Sequence, residues 1–162
     1  MIQLQTLEPN EIAIIMPRVQ DELNARYFYE SAAMWCRMNG YDKAAQYFTS
    51  EAEQENKHYN IWAEYLADWN VQINFPPIPK PMQFESLINV LEQQYLIEFA
   101  LFEAYEKDAI AMFPIGQNEY SIIQKFIKIQ SASVIESNNL LTKAYNYLTN
   151  DPNLVNFEED NF

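Results

Sequence analysis

The chain has 162 residues, of which 49% are apolar and 20% charged, a composition typical of one globular domain with a substantial core. Its 23 acidic and 10 basic residues give a formal net charge of −13, which disfavours nucleic acid and anionic membranes as partners and favours cations. The single cysteine, Cys36, excludes an internal disulfide framework and cysteine-rich zinc sites, and is expected to be a small buried apolar residue.

Long helices are expected because the chain has only two glycines, so turns that need positive φ are scarce. No apolar stretch is long enough for a membrane span, and the N-terminus has no basic segment before an apolar run. We therefore predict no membrane span and no signal peptide, and expect a cytoplasmic location.

The first predicted helix covers residues 11–39 and ends at Asn39-Gly40, a typical C-terminal stop. Its start has two candidates. Asn10 can cap the helix, or Pro17 can lie in the first turn, where a missing N–H is tolerated.

The second predicted helix covers residues 42–69, with Asp42 as its N-cap. Residues 71–86 follow, VQINFPPIPKPMQFES, and contain four prolines, which exclude a helix and favour an extended course. At roughly 3.1 Å per residue in extended form, this connection can run the length of a helical bundle.

The third and fourth predicted helices cover residues 86–112 and 119–149, with Ser86 as the N-cap of the third. The tail, 150–162, allows a shortened fifth helix. Two short connections and one long one predict an all-α four-helix bundle of two antiparallel hairpins joined by a crossover, with residues 1–162 as a single domain.

Carboxylates occur on faces of these helices that should be buried. Glu98 lies on the apolar stripe of the third helix, Glu55 and His58 share a face of the second, and Glu22 and Tyr29 share a face of the first. A buried carboxylate needs a compensating cation, and basic side chains are too few to provide one generally. A metal ion is the other possible source of positive charge. The carboxylate oxygens and the imidazole nitrogen are donors that suit iron or manganese, and zinc can compete for them.

Each of these residues also has a plainer interpretation. A lone Glu-x-x-His arises by chance on many helices, Glu22 by itself can be a surface residue, and Glu98 can satisfy an internal hydrogen bond. The combination is more informative, because di-iron helical bundles take one Glu from each of two helices and Glu-x-x-His from others.

Four segments together carry a resemblance to a known family. They are ELNARYFYESAAMWC (22–36), AEQENKHYNIW (52–62), PPIPKPMQFES (76–86) and LEQQYLIEFALFEAY (91–105). From about residue 10 to 150, the chain resembles a bacterial-type non-haem ferritin, with a ferritin-like four-helix bundle. A single histidine allows no second Glu-x-x-His, so bacterioferritins, rubrerythrins and di-iron oxygenases are not close matches.

The resemblance implies an iron storage protein with ferroxidase activity. Glu22, Glu55 and His58 would hold the first of two iron ions per subunit, Glu55 would bridge to the second, and Glu98 would complete it. Tyr29 would hydrogen-bond near the site. Fe(II) would be oxidised by O2 or peroxide, without haem, and Fe(III) would be stored in a hollow homo-oligomeric shell of about 24 subunits.

Some positions depart from the family pattern. Val134 occupies the place expected for a glutamine on the fourth helix, and Glu136 is the remaining carboxylate nearby, an additional candidate metal ligand. Gln54 stands where such ferritins often have a glutamate, so a third iron site is expected to be weak or lost. Lys57 and Asn60 leave the second helix short of the acidic residues that favour mineral nucleation, although Glu51 and Glu53 can partly serve. Glu119 could line a three-fold channel, although a solvated loop charge is the simpler interpretation.

These departures keep a second function open, a ferritin-fold metal-binding or structural protein with altered or lost mineralisation. A mini-ferritin that protects DNA is the third alternative. Mini-ferritins place their ligands across a dimer interface on other helices, so the arrangement of Glu22 and Glu98 disfavours it.

Overall fold

The computed structural model describes residue 2 and residues 4–162, and the chain forms five α-helices. They are α1 (Pro9–Met38), α2 (Asp42–Asp68), α3 (Leu87–Met112), α4 (Gln117–Tyr147) and α5 (Val155–Asn161). The four long helices form a ferritin-like bundle and α5 follows as a short C-terminal helix, which confirms the predicted fold class. Within the described part of the chain, no helix combines the length and apolar character that crossing a membrane requires.

Contacts between side chains show that α1 runs antiparallel to α3. Arg18, early in α1, pairs with Asp108 late in α3, with 3.2 Å between Nε and Oδ2. Further along α1, Tyr29 donates a hydrogen bond to Glu98, which lies earlier in α3. Residue numbers therefore rise along α1 while those of the contacted residues fall along α3, as in an antiparallel pair.

Residues 71–86 form the predicted crossover between α2 and α3 and contain no helix. Gln94 donates to the hydroxyl oxygen of Tyr47 at 2.9 Å, and Trp62 donates to that of Tyr105 at 3.0 Å. Because partners on the two helices advance together, α2 and α3 are parallel, as two hairpins joined by a crossover require.

The start of α1 differs from both predicted alternatives. The helix begins at Pro9, and Glu8 is its N-cap. The two ends of a capping box are Glu8 and Glu11, and the backbone N–H of Glu8 donates to the Glu11 carboxylate at 2.8 Å. Asn10 therefore does not cap it, and Pro17 lies inside the helix rather than in its first turn. Pro9 fills the first helical position, where a missing donor is tolerated.

The N-terminus of α2 is capped from a distant part of the chain. Asp42 is the first helical residue and not the N-cap. Instead, Glu158 of α5 accepts hydrogen bonds from the backbone N–H groups of Lys43, at 2.6 Å, and Ala44, at 3.0 Å. A carboxylate here satisfies two free donors and interacts favourably with the helix dipole.

Replacing Glu158 by glutamine should lower the free energy of unfolding by about 1 kcal/mol, because an acceptor remains but its charge is lost. Urea unfolding measures the change. Glu159→Gln is the matched control, since its carboxylate forms an exposed pair with Lys43 and such pairs contribute little. Equal destabilisation by the two substitutions would contradict the capping role.

The core consists of two apolar clusters separated by a polar layer. One cluster contains Phe28, Phe48 and Phe157, and the other contains Trp62 and Phe126. The buried polar residues between them come from all four long helices: Glu22, Glu55, Gln94, Glu98 and Gln130. The candidate site therefore lies in the middle of the bundle, shielded by apolar packing at both ends. Cys36 is fully buried, as predicted.

Candidate metal centre

Three of the four predicted ligands converge in the polar layer. Glu22 of α1 and Glu55 and His58 of α2 each offer a ligand atom, and these atoms lie within 4.8 Å of one another. His58 Nδ1 is 3.2 Å from Glu55 Oε2 and 3.6 Å from Glu22 Oε2. The helical spacing of three residues places Glu55 and His58 on one face, and the packing of α1 on α2 brings Glu22 opposite them.

Glu98, the fourth predicted ligand, lies in the same layer but outside this group of three. Its side chain is only 1% exposed. The hydroxyl of Tyr29 donates to Oε1, and the amide of Gln130 donates to Oε2. Two neutral donors thus orient the carboxylate, and Tyr29 contacts it as expected.

Gln130 contacts the predicted ligand Glu98, and the sequence pattern did not single it out. Val134 was assigned to the α4 position that faces the site, but Gln130, one helical turn earlier, contacts Glu98 instead and is 1% exposed. Because residues four apart lie on nearly the same face of a helix, helical periodicity alone could not distinguish Val134 from Gln130. The available signal was a glutamine on an otherwise apolar stripe of α4.

Tyr105 is a second residue at the candidate site that the sequence pattern did not single out. Its hydroxyl donates to Glu22 Oε1 and accepts a hydrogen bond of 3.0 Å from the indole Nε1 of Trp62. Both aromatic side chains are fully buried. Tyr105 therefore orients Glu22 as Tyr29 orients Glu98.

The second carboxylate oxygen of Glu22, Oε2, is buried and has no hydrogen-bond donor. An uncompensated carboxylate oxygen in the interior is costly, and native proteins satisfy nearly all such atoms. A cation between Glu22, Glu55 and His58 would supply the missing interaction. The donor set, two carboxylates and one imidazole, suits iron, manganese or zinc.

Proton binding offsets the charge of this site when no metal is bound. Burial raises the pKa of Glu55, and it raises that of Glu98 to about 7. Burial alone would lower the pKa of His58, but the neighbouring carboxylates of Glu22 and Glu55 outweigh it and raise that pKa to about 10. His58 is therefore protonated at neutral pH, close to two carboxyl groups.

Metal binding at pH 7 should release protons, because imidazole and carboxylate bind metal in their deprotonated forms. We expect about one proton from His58 for the first ion. Calorimetric titration with Co(II) in buffers of different ionisation enthalpy measures this number. In His58→Gln the release should fall by about one proton, and an unchanged value would show that His58 does not bind the metal.

Glu136, the additional candidate metal ligand, lies outside the group of three. Glu136 is exposed, and the hydroxyl of Tyr47 lies 3.4 Å from its Oε1. Burial, and then the charge of Glu136, raise the pKa of Glu51 to about 7. A role for Glu136 in metal binding stays a prediction.

Glu119 is neither in a loop nor solvated, so that interpretation was wrong. It lies in the first turn of α4, is 4% exposed, and accepts a hydrogen bond from the hydroxyl of Tyr65. Its carboxylate is thus held inside the subunit beside Tyr65, and a role in lining a channel between subunits stays a prediction.

The family model for the ferritin-like domain matches residues 12–112, more than half of the chain. The chain therefore belongs to the ferritin family, and membership supports a role in iron storage at the level of the family.

Solved structures agree on the fold. Apo-ferritin from Pseudo-nitzschia multiseries aligns with a TM-score of 0.88 at 18% identity, covering 96% of this chain and 100% of that one. An open pore ferritin from Archaeoglobus fulgidus aligns with a TM-score of 0.86 at 13% identity, covering 95% of each chain. A humanized archaeal ferritin aligns with a TM-score of 0.87 at 15% identity, covering 96% of each chain. No curated protein matches the chain by sequence.

Proposed function

We propose that this protein is a ferroxidase that oxidises Fe(II) within each subunit and stores the Fe(III) product. The observation that carries the proposal is the buried group of Glu22, Glu55 and His58, in which one oxygen of Glu22 has no hydrogen-bond partner. Basic side chains do not fill this role, since Arg18 pairs with Asp108 instead. Without metal, the protonated imidazole of His58 supplies the positive charge beside these carboxylates, and a metal ion would take the place of its proton.

In this proposal, iron is the substrate and the side chains have separate roles. Glu22 and His58 bind the first Fe(II), Glu55 bridges to the second, and Glu98 completes the second position. Tyr29 and Gln130 orient Glu98 through the hydrogen bonds described above. Holding two metal ions close together lets both donate electrons to one oxidant.

The electron balance needs no haem or other cofactor. Two Fe(II) ions supply two electrons, which convert one O2 and two protons to H2O2. With H2O2 as the oxidant, the same two electrons and two protons give two molecules of water. Carboxyl groups whose pKa is raised, such as Glu98, are suitable proton donors near neutral pH.

Storage requires an oligomeric shell, and the outer face of α1 supports one. A groove of about 980 Å³ lies between α1, α3 and the crossover. Met34, Met38 and Ile78 line it, and all three are more than half exposed. A large apolar surface of this kind is typical of a protein–protein interface. We infer that a second copy of the chain covers it, within a homo-oligomer of about 24 subunits.

Anaerobic titration tests the proposal directly. Fe(II) binding to the metal-free protein should saturate near two ions per subunit, and admission of O2 should then oxidise both ions rapidly. Saturation near one ion, or slow oxidation at the rate of free Fe(II), would contradict the paired site.

A second candidate function is a ferritin-fold protein that binds metal without mineralising it. Gln54, Lys57 and Asn60 are exposed on α2 and provide no carboxylates that could nucleate a mineral. Sedimentation after loading with a large excess of iron separates the two functions. A dense, iron-filled particle supports storage, whereas a light particle that retains only a few ions per subunit supports the alternative.

A further inference from the structure

Four oxidisable aromatic side chains connect the candidate metal centre to the outside of the bundle. We call them the aromatic column: Tyr105, Trp62, Tyr65 and Trp69. At the inner end, Tyr105 donates its hydroxyl hydrogen bond to Glu22, and Trp62 donates its Nε1–H to the Tyr105 oxygen at 3.0 Å. The column thus begins on a predicted ligand.

The outer half of the column continues along one face of α2 to Trp69, the residue that caps the C-terminus of this helix. Ring centroids are 6.3 Å apart between Trp62 and Tyr65, and 6.4 Å apart between Tyr65 and Trp69. Trp62 is fully buried, whereas Tyr65 and Trp69 are partly exposed. A position deep in the core is therefore linked to the surface through a few neighbouring rings.

Each tyrosine of the column has a carboxylate beside its hydroxyl. Tyr105 donates to Glu22, and Tyr65 donates to Glu119. An oxidised phenol must lose its proton, so a hydrogen-bonded acceptor at the oxygen makes its one-electron oxidation easier.

Tyr29, the other tyrosine at the centre, packs directly against phenylalanine rings and not against another phenol or indole. Its ring neighbours are Phe28, at a centroid distance of 5.1 Å, and Phe48, at 6.2 Å. Phenyl rings are far harder to oxidise than phenols or indoles. A radical formed on Tyr29 would therefore stay near the metal, whereas a radical formed on Tyr105 can be passed outwards to Trp62.

We propose that the aromatic column reduces one-electron oxidants formed at the metal centre, using electrons from a soluble thiol at the surface. The inference rests on the proposed ferroxidase function, because the oxidant arises when one Fe(II) meets H2O2. That reaction gives Fe(III), hydroxide and a hydroxyl radical. The column removes the radical before it damages the site.

Each step balances. The hydroxyl radical takes an electron and the phenol proton from Tyr105 and becomes water. Trp62 then reduces the Tyr105 radical, and its Nε1 proton moves along their hydrogen bond. Tyr65 then reduces the Trp62 radical, and the proton of the Tyr65 hydroxyl passes to Glu119. The reduced Trp62 regains its Nε1 proton from the new water molecule, through the Tyr105 hydroxyl. The sum is one electron moved from Tyr65, one hydroxide at the centre and one proton on Glu119.

Reduction from outside completes the cycle. Trp69 passes an electron to the Tyr65 radical, the proton on Glu119 returns to Tyr65, and a thiolate reduces Trp69. The thiolate becomes a thiyl radical, and two thiyl radicals combine to a disulfide. Only thiol and peroxide are consumed beyond the iron.

Freeze-quench electron paramagnetic resonance tests the column in the full-length protein. The protein is loaded anaerobically with Fe(II), mixed with H2O2, and frozen with or without 2-mercaptoethanol. In the unmodified protein we expect a tyrosyl radical that the thiol removes. In Trp62→Phe, the radical should form on Tyr105 but no longer decay with thiol. Trp35→Phe, at a tryptophan outside the column, is the matched control and should behave like the unmodified protein.

Removal of the radical by thiol in Trp62→Phe at the original rate would overturn the proposal, as would the absence of any organic radical in the unmodified protein. If Trp62→Phe does not fold, Trp69→Phe at the outer end of the column tests the proposal instead. In that variant we expect the tyrosyl radical to persist in the presence of thiol, while the rate of iron oxidation stays unchanged. Iron oxidation is followed in the same samples. Normal oxidation with a failed radical test overturns only the column, whereas no oxidation at all overturns the proposed function as well.

Discussion

Replacing Glu55 by glutamine is expected to slow aerobic Fe(II) oxidation by at least about 100-fold. Mutating a residue that only hydrogen-bonds to a metal ligand can already lower activity by up to about 100-fold, and Glu55 is itself a proposed ligand. Glu55 is 2% exposed and contacts His58, so the amide fits the space but cannot bridge two cations as a carboxylate does. Stopped-flow absorbance of the Fe(III) product measures the rate, and anaerobic titration measures how many Fe(II) ions still bind.

Glu53→Gln is the matched control for this prediction. Glu53 carries the same side chain on the same helix, but it is exposed on another face of α2. Its substitution should leave the oxidation rate within experimental error. An unchanged rate in Glu55→Gln would show that the centre lies elsewhere, while equal losses in both variants would point to a general effect of charge on iron attraction.

The metal-free protein is expected to lose thermal stability as pH rises from about 5 to 9, by on the order of 5 °C in Tm. Burial raises the pKa of Glu98 from 4.5 to about 7 and that of Asp108 from 3.8 to about 6. The folded chain therefore binds more protons than the unfolded chain in this window, so stability falls as pH rises through it. His58, whose pKa rises from 6.5 to about 10, extends the fall with the same sign.

Calorimetric melting curves at several pH values measure this dependence. Glu98→Gln should flatten the curve between about pH 4.5 and 7, whereas the exposed Glu53→Gln should leave its slope unchanged. Zn(II), which is not oxidised, should raise Tm most at high pH, because it binds deprotonated ligands. Stability that rises between pH 5 and 9 without metal would contradict the raised pKa values.

Features that depend on nearby residues could be predicted from the sequence. Ser86 caps α3 as predicted, with its side chain accepting from the N–H of Asn89, because a cap needs only the first turn of its own helix. The stop at Asn39-Gly40 is also observed, with Gly40 at a φ of 82° that other residues adopt rarely. The pairing of Glu55 with His58 follows from their spacing on one helix.

Features that depend on distant partners were the ones predicted wrongly or not at all. Asp42 was expected to cap α2, but Glu158 does so from more than a hundred residues further along. Val134 was assigned to the position on α4 that faces the site, and Gln130, one turn earlier on nearly the same helix face, was not singled out. Resemblance to ferritins supplied Glu22 and Glu98 as ligands, since periodicity shows only that their faces are buried.

By itself, the sequence determined four long helices, the extended crossover and the faces that carry Glu22, Glu55, His58 and Glu98. These properties arise from periodicity, capping residues and proline, which act over one or two helical turns. Only the tertiary structure decided that Tyr105 contacts Glu22, that Gln130 contacts Glu98, and that an aromatic column continues to the surface. Such contacts depend on how far each helix is rotated and shifted against its neighbours, and that is settled by packing of the whole core.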